Sequence, residues 1–285
     1  MRLYLAKLLP NPNKGYIFSE IVIFEVLMKL VIKIGSSTLT HEGGGINIRR
    51  FHKLCQVLAD LMNAGNQVVL VSSGAIAMGV AKLGLTKRPE DMPTKQAVAA
   101  VGQCVLMDSY DRTFGEFGRT VAQILVTGAD VENSLRLENF NNTVNRLLEM
   151  GVLPIINEND TVETEEITVG DNDTLSAIVA SAIKADLLVL LSDIEGLYSG
   201  DPRKDENAQL IPEVYDLTDD IMSVAGGAGT GRGTGGMQTK LSAAKIVTAT
   251  GCDMIIAQGS NPDILYDIVE GQAVGTRFFA RRVGN

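Results

Sequence analysis

Cysteine and histidine are scarce in this 285-residue chain, with three Cys and two His. Cys55, Cys104 and Cys252 lie far apart and form no Cys-x-x-Cys pair. Neither a disulfide framework nor a zinc site is expected, and reducing, cytoplasmic surroundings fit better. His41 and His52 are isolated, and neither is expected to act in catalysis. Positive charge is also in deficit: 25 Lys and Arg against 34 Asp and Glu leave a net charge of −9. Such a field repels polyanions at long range, which argues against nucleic acid as a partner. A small anionic substrate would need a locally basic site. No apolar run of about 18 residues is free of charge, so no membrane span is expected. Internal repeats and low-complexity linkers are absent. So is the P-loop signature Gly-x-x-x-x-Gly-Lys-Ser/Thr, and no Gly-x-Gly-x-x-Gly follows the first predicted strand.

What is present reads as an ordinary globular chain, 45% apolar and 21% charged. Its length suits one large domain or two small ones. From Leu30 onward short apolar strands alternate with amphipathic helices. Strands are predicted at Leu30–Ile34, Val68–Val71, Val121–Val126, Val152–Ile156, Leu187–Leu191 and Met254–Ala257. Helices are predicted from Ile48 to Leu61, after Gly74, over 94–117, around Phe140–Leu148, over Leu175–Ile183, over 236–250 and over Ile264–Val269. Thr161–Val169 alternates and is acidic, like an exposed β-hairpin. Continuously apolar strands separated by helices imply an α/β fold, a three-layer α/β/α sandwich around a mainly parallel sheet. Residues 1–27 differ from the rest. Met28 opens directly into a strand, so the first 27 residues read as an upstream extension, or else as an added edge strand or docked arm.

In open α/β sheets ligands bind beyond the carboxyl ends of the strands. Lys33-Ile34-Gly35-Ser36-Ser37, Ser72-Ser73-Gly74-Ala75, Asn157-Glu158-Asn159-Asp160 and Ser192-Asp193 all fall at such ends. Gly170-Asp171-Asn172-Asp173 and the loop Gly229–Gly236, leading to Lys240, open predicted helices. Seven glycines crowd between Gly226 and Gly236. Backbone N–H groups of Gly35 and the serines after it can meet a phosphate, with Lys33 as countercharge. N–H groups at Ser73-Gly74 can hold a carboxylate. Asp160 and Asn172 suit the ammonium and carboxylate of an amino acid. Asp173 can fix the lysines, and the glycine loop can close over a nucleotide. Each segment also has a plainer reading: a paired lysine, a helix cap, a turn, a flexible linker.

Taken together and in order, these segments resemble the amino acid kinase family from Met28 to about Asn285. The matching stretches are Lys33–Ser37, Val71–Ile76, Pro154–Asp160, Gly170–Asp173, Ser192–Tyr198 and Gly233–Lys240. Asn157–Asp160 and Gly233–Met237 are the most specific to the branch that phosphorylates glutamate. The resemblance implies ATP-dependent phosphorylation of the side-chain carboxylate of L-glutamate to L-glutamyl 5-phosphate, in the first step of proline biosynthesis. It implies that Lys33 and Lys240 contact the transferred phosphoryl group, with Asp173 orienting them. Ser73, Asp160 and Asn172 would bind glutamate. Lys33, Gly35, Ser192 and Asp193 would line the nucleotide site, and Thr234, Gly235, Gly236, Met237, Gln238, Thr239 and Lys240 would close over it. Mg²⁺ would accompany ATP, with no protein side chain assigned to it. A substrate lobe over about 28–170 and a nucleotide lobe over about 171–285 are expected within one domain. Only six residues follow Phe279, so the PUA domain that many bacterial members add is expected to be missing. Proline as feedback inhibitor, a glutamyl phosphate reductase as partner, and a homodimer or homotetramer complete the expectation. Kinases of the same fold that act on acetylglutamate, aspartate, carbamate or a nucleoside monophosphate are the neighbouring readings, and a non-catalytic sensor is the distant one.

Overall fold

Residues 3–11, 15–24, 27–41, 45–162, 172–224 and 236–281 are described by the structure, a computed structural model. Strands β1 (Leu3–Asn11) and β2 (Gly15–Phe24) pair antiparallel in a two-stranded sheet of their own. They add no strand to the main sheet, so the edge-strand reading of the first 27 residues does not hold. The alternating pattern begins with β3 (Lys29–Ile34), α1 (Ser36–Leu39), α2 (Ile48–Asn63) and β4 (Gln67–Ser72). It continues through α3 (Ala75–Lys82), α4 (Met92–Glu116), β5 (Val121–Val126), α5 (Gly128–Glu132), α6 (Ser134–Glu149) and β6 (Leu153–Glu158). The second half holds α7 (Asn172–Ala182), β7 (Leu187–Ser192), β8 (Glu213–Val214), α8 (Asp219–Val224), α9 (Met237–Thr248), β9 (Asp253–Gln258), α10 (Ile264–Val269) and β10 (Thr276–Phe278). Most of the hairpin expected at Thr161–Val169 lies outside the described residues.

The main sheet has eight strands in the order β5-β6-β4-β3-β7-β9-β10-β8. All neighbours are parallel except β9 and β10. The three-layer sandwich predicted from the apolar strands is what forms. Alternation along β3 shows how. Leu30, Ile32 and Ile34 join a core with Phe51 and Leu54 of α2, Leu106 and Tyr110 of α4 and Leu265 of α10. Val31 faces the other way, into a core with Val144 of α6, Leu175 of α7 and Leu241 of α9. With a side-chain period of two, Lys33 shares the face of Val31, which α7 and α9 cover. That parity delivers the one charged residue of β3's buried end to the site.

One hydroxyl makes two of the bonds that tie down the flank beyond β9. Thr276 Oγ1 accepts from Leu197 N at 2.7 Å and donates to Ile211 O at 2.6 Å. Among the described residues β8 reaches the sheet only through β10.

Helices α3 and α4 meet through glycines. A Cβ on Gly102 would lie 1.7 Å from Ala75 O, and one on Gly79 2.0 Å from Val98 O. Both clashes are with backbone, so no side chain can swing away to relieve them. Gly102→Ala is expected to cost about 3 kcal/mol and lower Tm by about 6–12 °C in thermal unfolding. An unchanged Tm would mean that the two helices are less tightly apposed than they stand here.

Candidate active site

The parallel strands end together. Ile34 is level with Ser72 and Leu191, and Ser192 with Gln258. The chain leaving β4 enters α3 through Ser73 and Gly74, whose φ of +113° only glycine adopts without strain. Helices α7 and α9 begin at the same edge, so with α1 and α3 four helix N-termini and their unpaired N–H groups gather around the ends of β3 and β4.

At the centre is Asp173, in the first turn of α7 and fully buried. Its Oδ1 lies 2.6 Å from Lys33 Nζ and its Oδ2 2.9 Å from Lys240 Nζ. Thr239 Oγ1 donates to Oδ2 at 3.0 Å. Lys33 and Lys240 are themselves buried. Burial pushes the Asp173 carboxyl up, but the two ammonium groups outweigh it and hold it at about 2, against an ordinary 3.8. Two cations and one anion leave this buried cluster with one net positive charge, in a chain whose total is −9. That is the locally basic spot an anionic ligand requires. Gly35 lies beside it: a Cβ there would be 3.8 Å from Lys33 Nζ. Gly236 caps α9 with extended backbone, and its carbonyl accepts from Thr239 Oγ1 at 2.8 Å.

Next to the charged cluster is a neutral one. Asn172 Nδ2 donates to Ser73 Oγ at 2.6 Å and to Asn157 Oδ1 at 3.0 Å. Asn157 Nδ2 in turn donates to Gln103 Oε1 of α4 at 3.0 Å. Ser72 Oγ and Tyr110 OH, also of α4, are 2.8 Å apart. The edge of the sheet therefore carries a cationic pocket and a ladder of amides side by side. Such a pairing can hold a polyphosphate next to a small zwitterion.

A model of the amino acid kinase family matches residues 28–258. The chain belongs to the amino acid kinase family. Several curated relatives share one name. The glutamate 5-kinase of Clostridium perfringens is 52% identical over 258 residues, 89% of this chain and 96% of that one. That of Clostridium tetani is 55% identical over 251 residues, 88% and 94% of the two chains. The glutamate 5-kinase of Caldanaerobacter subterraneus is 49% identical over 251 residues, but these make up only 68% of its length. Solved structures agree on architecture. A UMP kinase from Bacillus anthracis gives a TM-score of 0.61 at 13% identity, covering 90% of this chain and 97% of that one. A carbamate kinase from Giardia lamblia bound to AMP-PNP gives 0.62 at 17%, covering 90% and 99%. At those identities the likeness is one of fold.

In this amino acid kinase chain the residues singled out from sequence fall into three groups. Lys33, Gly35, Ser73, Asn172, Asp173, Thr239 and Lys240 converge at the strand ends, as described. Asp160 sits in the turn two residues beyond β6 and is half-buried, while Met237 and Gln238 occupy the first turn of α9, the latter exposed. Ser192 is buried at the end of β7 and donates to the carboxylate of exposed Asp193 at 3.1 Å. Thr234 and Gly235 lie outside the described residues, as do Gly170 and Asp171. The sequence reading missed Gln103 and Tyr110 as polar supports, and it missed Thr239 as a partner of Asp173. No sequence signal marked Gln103 or Tyr110, because the apolar residues of α4 spread around the helix and define no stripe in which a polar residue stands out.

Proposed function

We propose that this chain transfers the γ-phosphoryl group of ATP to the side-chain carboxylate of L-glutamate, forming ADP and L-glutamyl 5-phosphate, the first step of proline biosynthesis. The observation that carries the reading is the buried Lys33–Asp173–Lys240 cluster beside the Ser73–Asn172 pair, in a chain about half identical to several glutamate 5-kinases.

The chemistry asks little of the protein beyond charge and position. The γ-carboxylate of glutamate has a reference pKa of about 4.3 and is ionised at neutral pH, so no general base is required. The obstacle is the approach of one anion to another, worth about 4 kcal/mol for unit charges 4 Å apart at an effective dielectric near 20. Lys33 and Lys240 offset that repulsion and stabilise the charge spread over the transferred phosphoryl group. Asp173 holds both ammonium groups in place before the substrates arrive. Ser73, Asp160 and Asn172 bind glutamate. Gly35, Ser192, Asp193 and the segment from Thr234 to Lys240 bind the nucleotide. Within one domain the division is a substrate lobe up to about residue 170 and a nucleotide lobe beyond it.

Among the described residues no three His, Cys, Asp or Glu cluster as a metal cage, and Asp173 is taken up by its lysines. The proposed substrate is therefore Mg·ATP, the ion arriving on the phosphates. Proline, sharing the ammonium and α-carboxylate of glutamate, would compete at the same site. The acyl phosphate is labile, which favours delivery to a reductase. A homodimer or homotetramer in the cytoplasm completes the proposal. Among the described residues no helix is long and apolar enough to cross a membrane.

The test is ADP release from Mg·ATP with L-glutamate, N-acetylglutamate, L-aspartate or UMP, each with hydroxylamine present. Glutamate-dependent ADP release with matching hydroxamate is expected. Turnover of UMP alone, or ADP release without hydroxamate, would overturn the assignment.

A further inference from the structure

The amide ladder beside the charged cluster has a direction, and one atom sets it. Asn172 Nδ2 is 3.5 Å from the backbone carbonyl oxygen of Ser72. A carbonyl only accepts, so the Asn172 amide turns its NH₂ group toward it. The same NH₂ meets Asn157 Oδ1, which obliges Asn157 to present its own NH₂ to Gln103 Oε1. Gln103 Oε1 is thus the terminal acceptor of the ladder. Gln103 and Asn157 are only 8% and 3% exposed, so water does not readily replace a lost partner. Two atoms at the ends, Gln103 Nε2 and Asn172 Oδ1, are buried with no hydrogen-bond partner among the described residues. Asn172 Oδ1 is the telling one. The order of the ladder leaves it as an acceptor beside Ser73, at the N-terminus of α7, in need of a donor that the described residues do not supply.

We infer that Gln103 is a positioning residue for the acceptor amino acid. By accepting from Asn157 it fixes both asparagine amides in the orientation that leaves Asn172 Oδ1 free to accept from the substrate's ammonium group. This rests on the proposed assignment of Asn172 to substrate binding. Without the Gln103 acceptor, Asn157 gains by turning its amide over. Its NH₂ then opposes that of Asn172, which turns in response and shows the incoming ammonium a donor instead of an acceptor. Gln103 reaches the substrate only through two asparagines, and its packing volume and its acceptor atom can be separated experimentally.

Gln103→Met keeps length and bulk and removes the acceptor. Gln103→Glu keeps an acceptor oxygen in the same shape and exchanges Nε2, which has no partner among the described residues, for a second carboxyl oxygen, so it is measured on the acid side of neutrality as well. Steady-state kinetics are measured with whichever of L-glutamate, N-acetylglutamate and L-aspartate the unaltered enzyme turns over best. Q103M is expected to raise the KM of an amino acid with a free ammonium group about tenfold or more, the scale of one well-formed hydrogen bond. The KM for ATP is expected to stay near its original value, the Tm to fall by about 2–8 °C for the buried Asn157 polar atom left unsatisfied, and Q103E to bring the acceptor KM back to within about threefold. An unchanged acceptor KM in Q103M, an equal loss in Q103E, or a rise in both KM values would overturn the inference. Failure of the proposed function shows separately, in the unaltered enzyme, as no turnover of a free amino acid. The ladder is then judged from the side-chain amide NMR signals of Asn157 and Asn172. Displacement of those signals in Q103M and their return in Q103E supports it, and unmoved signals in Q103M overturn it.

Discussion

In the Asp173→Ala variant, kcat is expected to fall at least ~100-fold and stability by about 3–5 kcal/mol, the largest combined effect of any single substitution in the site. Asp173 is fully buried, and both of its carboxylate oxygens are engaged by buried lysines. Its removal leaves two ammonium groups in a dry pocket with no anion between them. Breaking such a cluster from one side costs more than the cluster contributes when whole, because the remaining charges stay desolvated. Asp173→Asn separates shape from charge: it keeps the side-chain outline and should lose nearly as much activity. Urea unfolding and steady-state kinetics together check both effects. Acid provides an independent check. The folded-state carboxyl value of about 2 lies below the ordinary 3.8, so its contribution is complete above the unfolded value and is lost as pH falls through the folded one. The stability gap between unaltered enzyme and Asp173→Ala should therefore be flat near neutrality and close progressively from about pH 4 toward about pH 2. A gap that persisted at the acid end would assign the loss to packing instead of charge.

Lys33→Ala and Lys240→Ala are each expected to lower kcat by at least ~100-fold, the scale of removing one preorganised electrostatic donor. Lys33 comes from the central strand and Lys240 from α9, and they approach opposite oxygens of one carboxylate. Neither can move to cover for the other, so the double variant should be little worse than either single one. Each single variant leaves Asp173 with one cation, and its pKa rises accordingly. Unchanged turnover in either variant would remove that lysine from phosphoryl transfer.

The frame of the molecule was legible from hydrophobic pattern alone, because its central strands are short, continuously apolar and buried on both faces. Six predicted strands appear at their expected places, within a residue or two at the ends. The misses share a cause. β8 and β10 have two and three residues, too few for any periodicity to register, and each exists because a neighbour supplies a ladder. Helices α1, α5 and α8 span one turn or little more, too short for a periodic pattern, and α5 is held by the Thr127–Asp130 capping box. In the site, the cluster of Lys33, Asp173 and Lys240 could be anticipated because each residue lies at a strand end or helix start. Gln103 could not. It is 54 positions from its partner Asn157, in the middle of α4, whose apolar residues spread around the helix, and only the packing of α4 beneath β4 and β6 brings it to the site.

The clasp at Thr276 has a consequence for how the molecule breathes. Segment 197–214 is held by Leu197 N to Thr276 Oγ1, Arg277 N to Pro212 O at 2.8 Å and Phe279 N to Val214 O at 2.9 Å. Every one of these tethers runs to the three-residue β10 or to the residue next to it. When β10 lets go, β8 has no other strand to remain with, so the whole outer flank is released in one event while β3, β4 and β7 stay paired. The amides this flank shelters, on the side of Ser192 and Asp193, are therefore expected to exchange together in native-state hydrogen exchange, at an opening free energy below that of global unfolding.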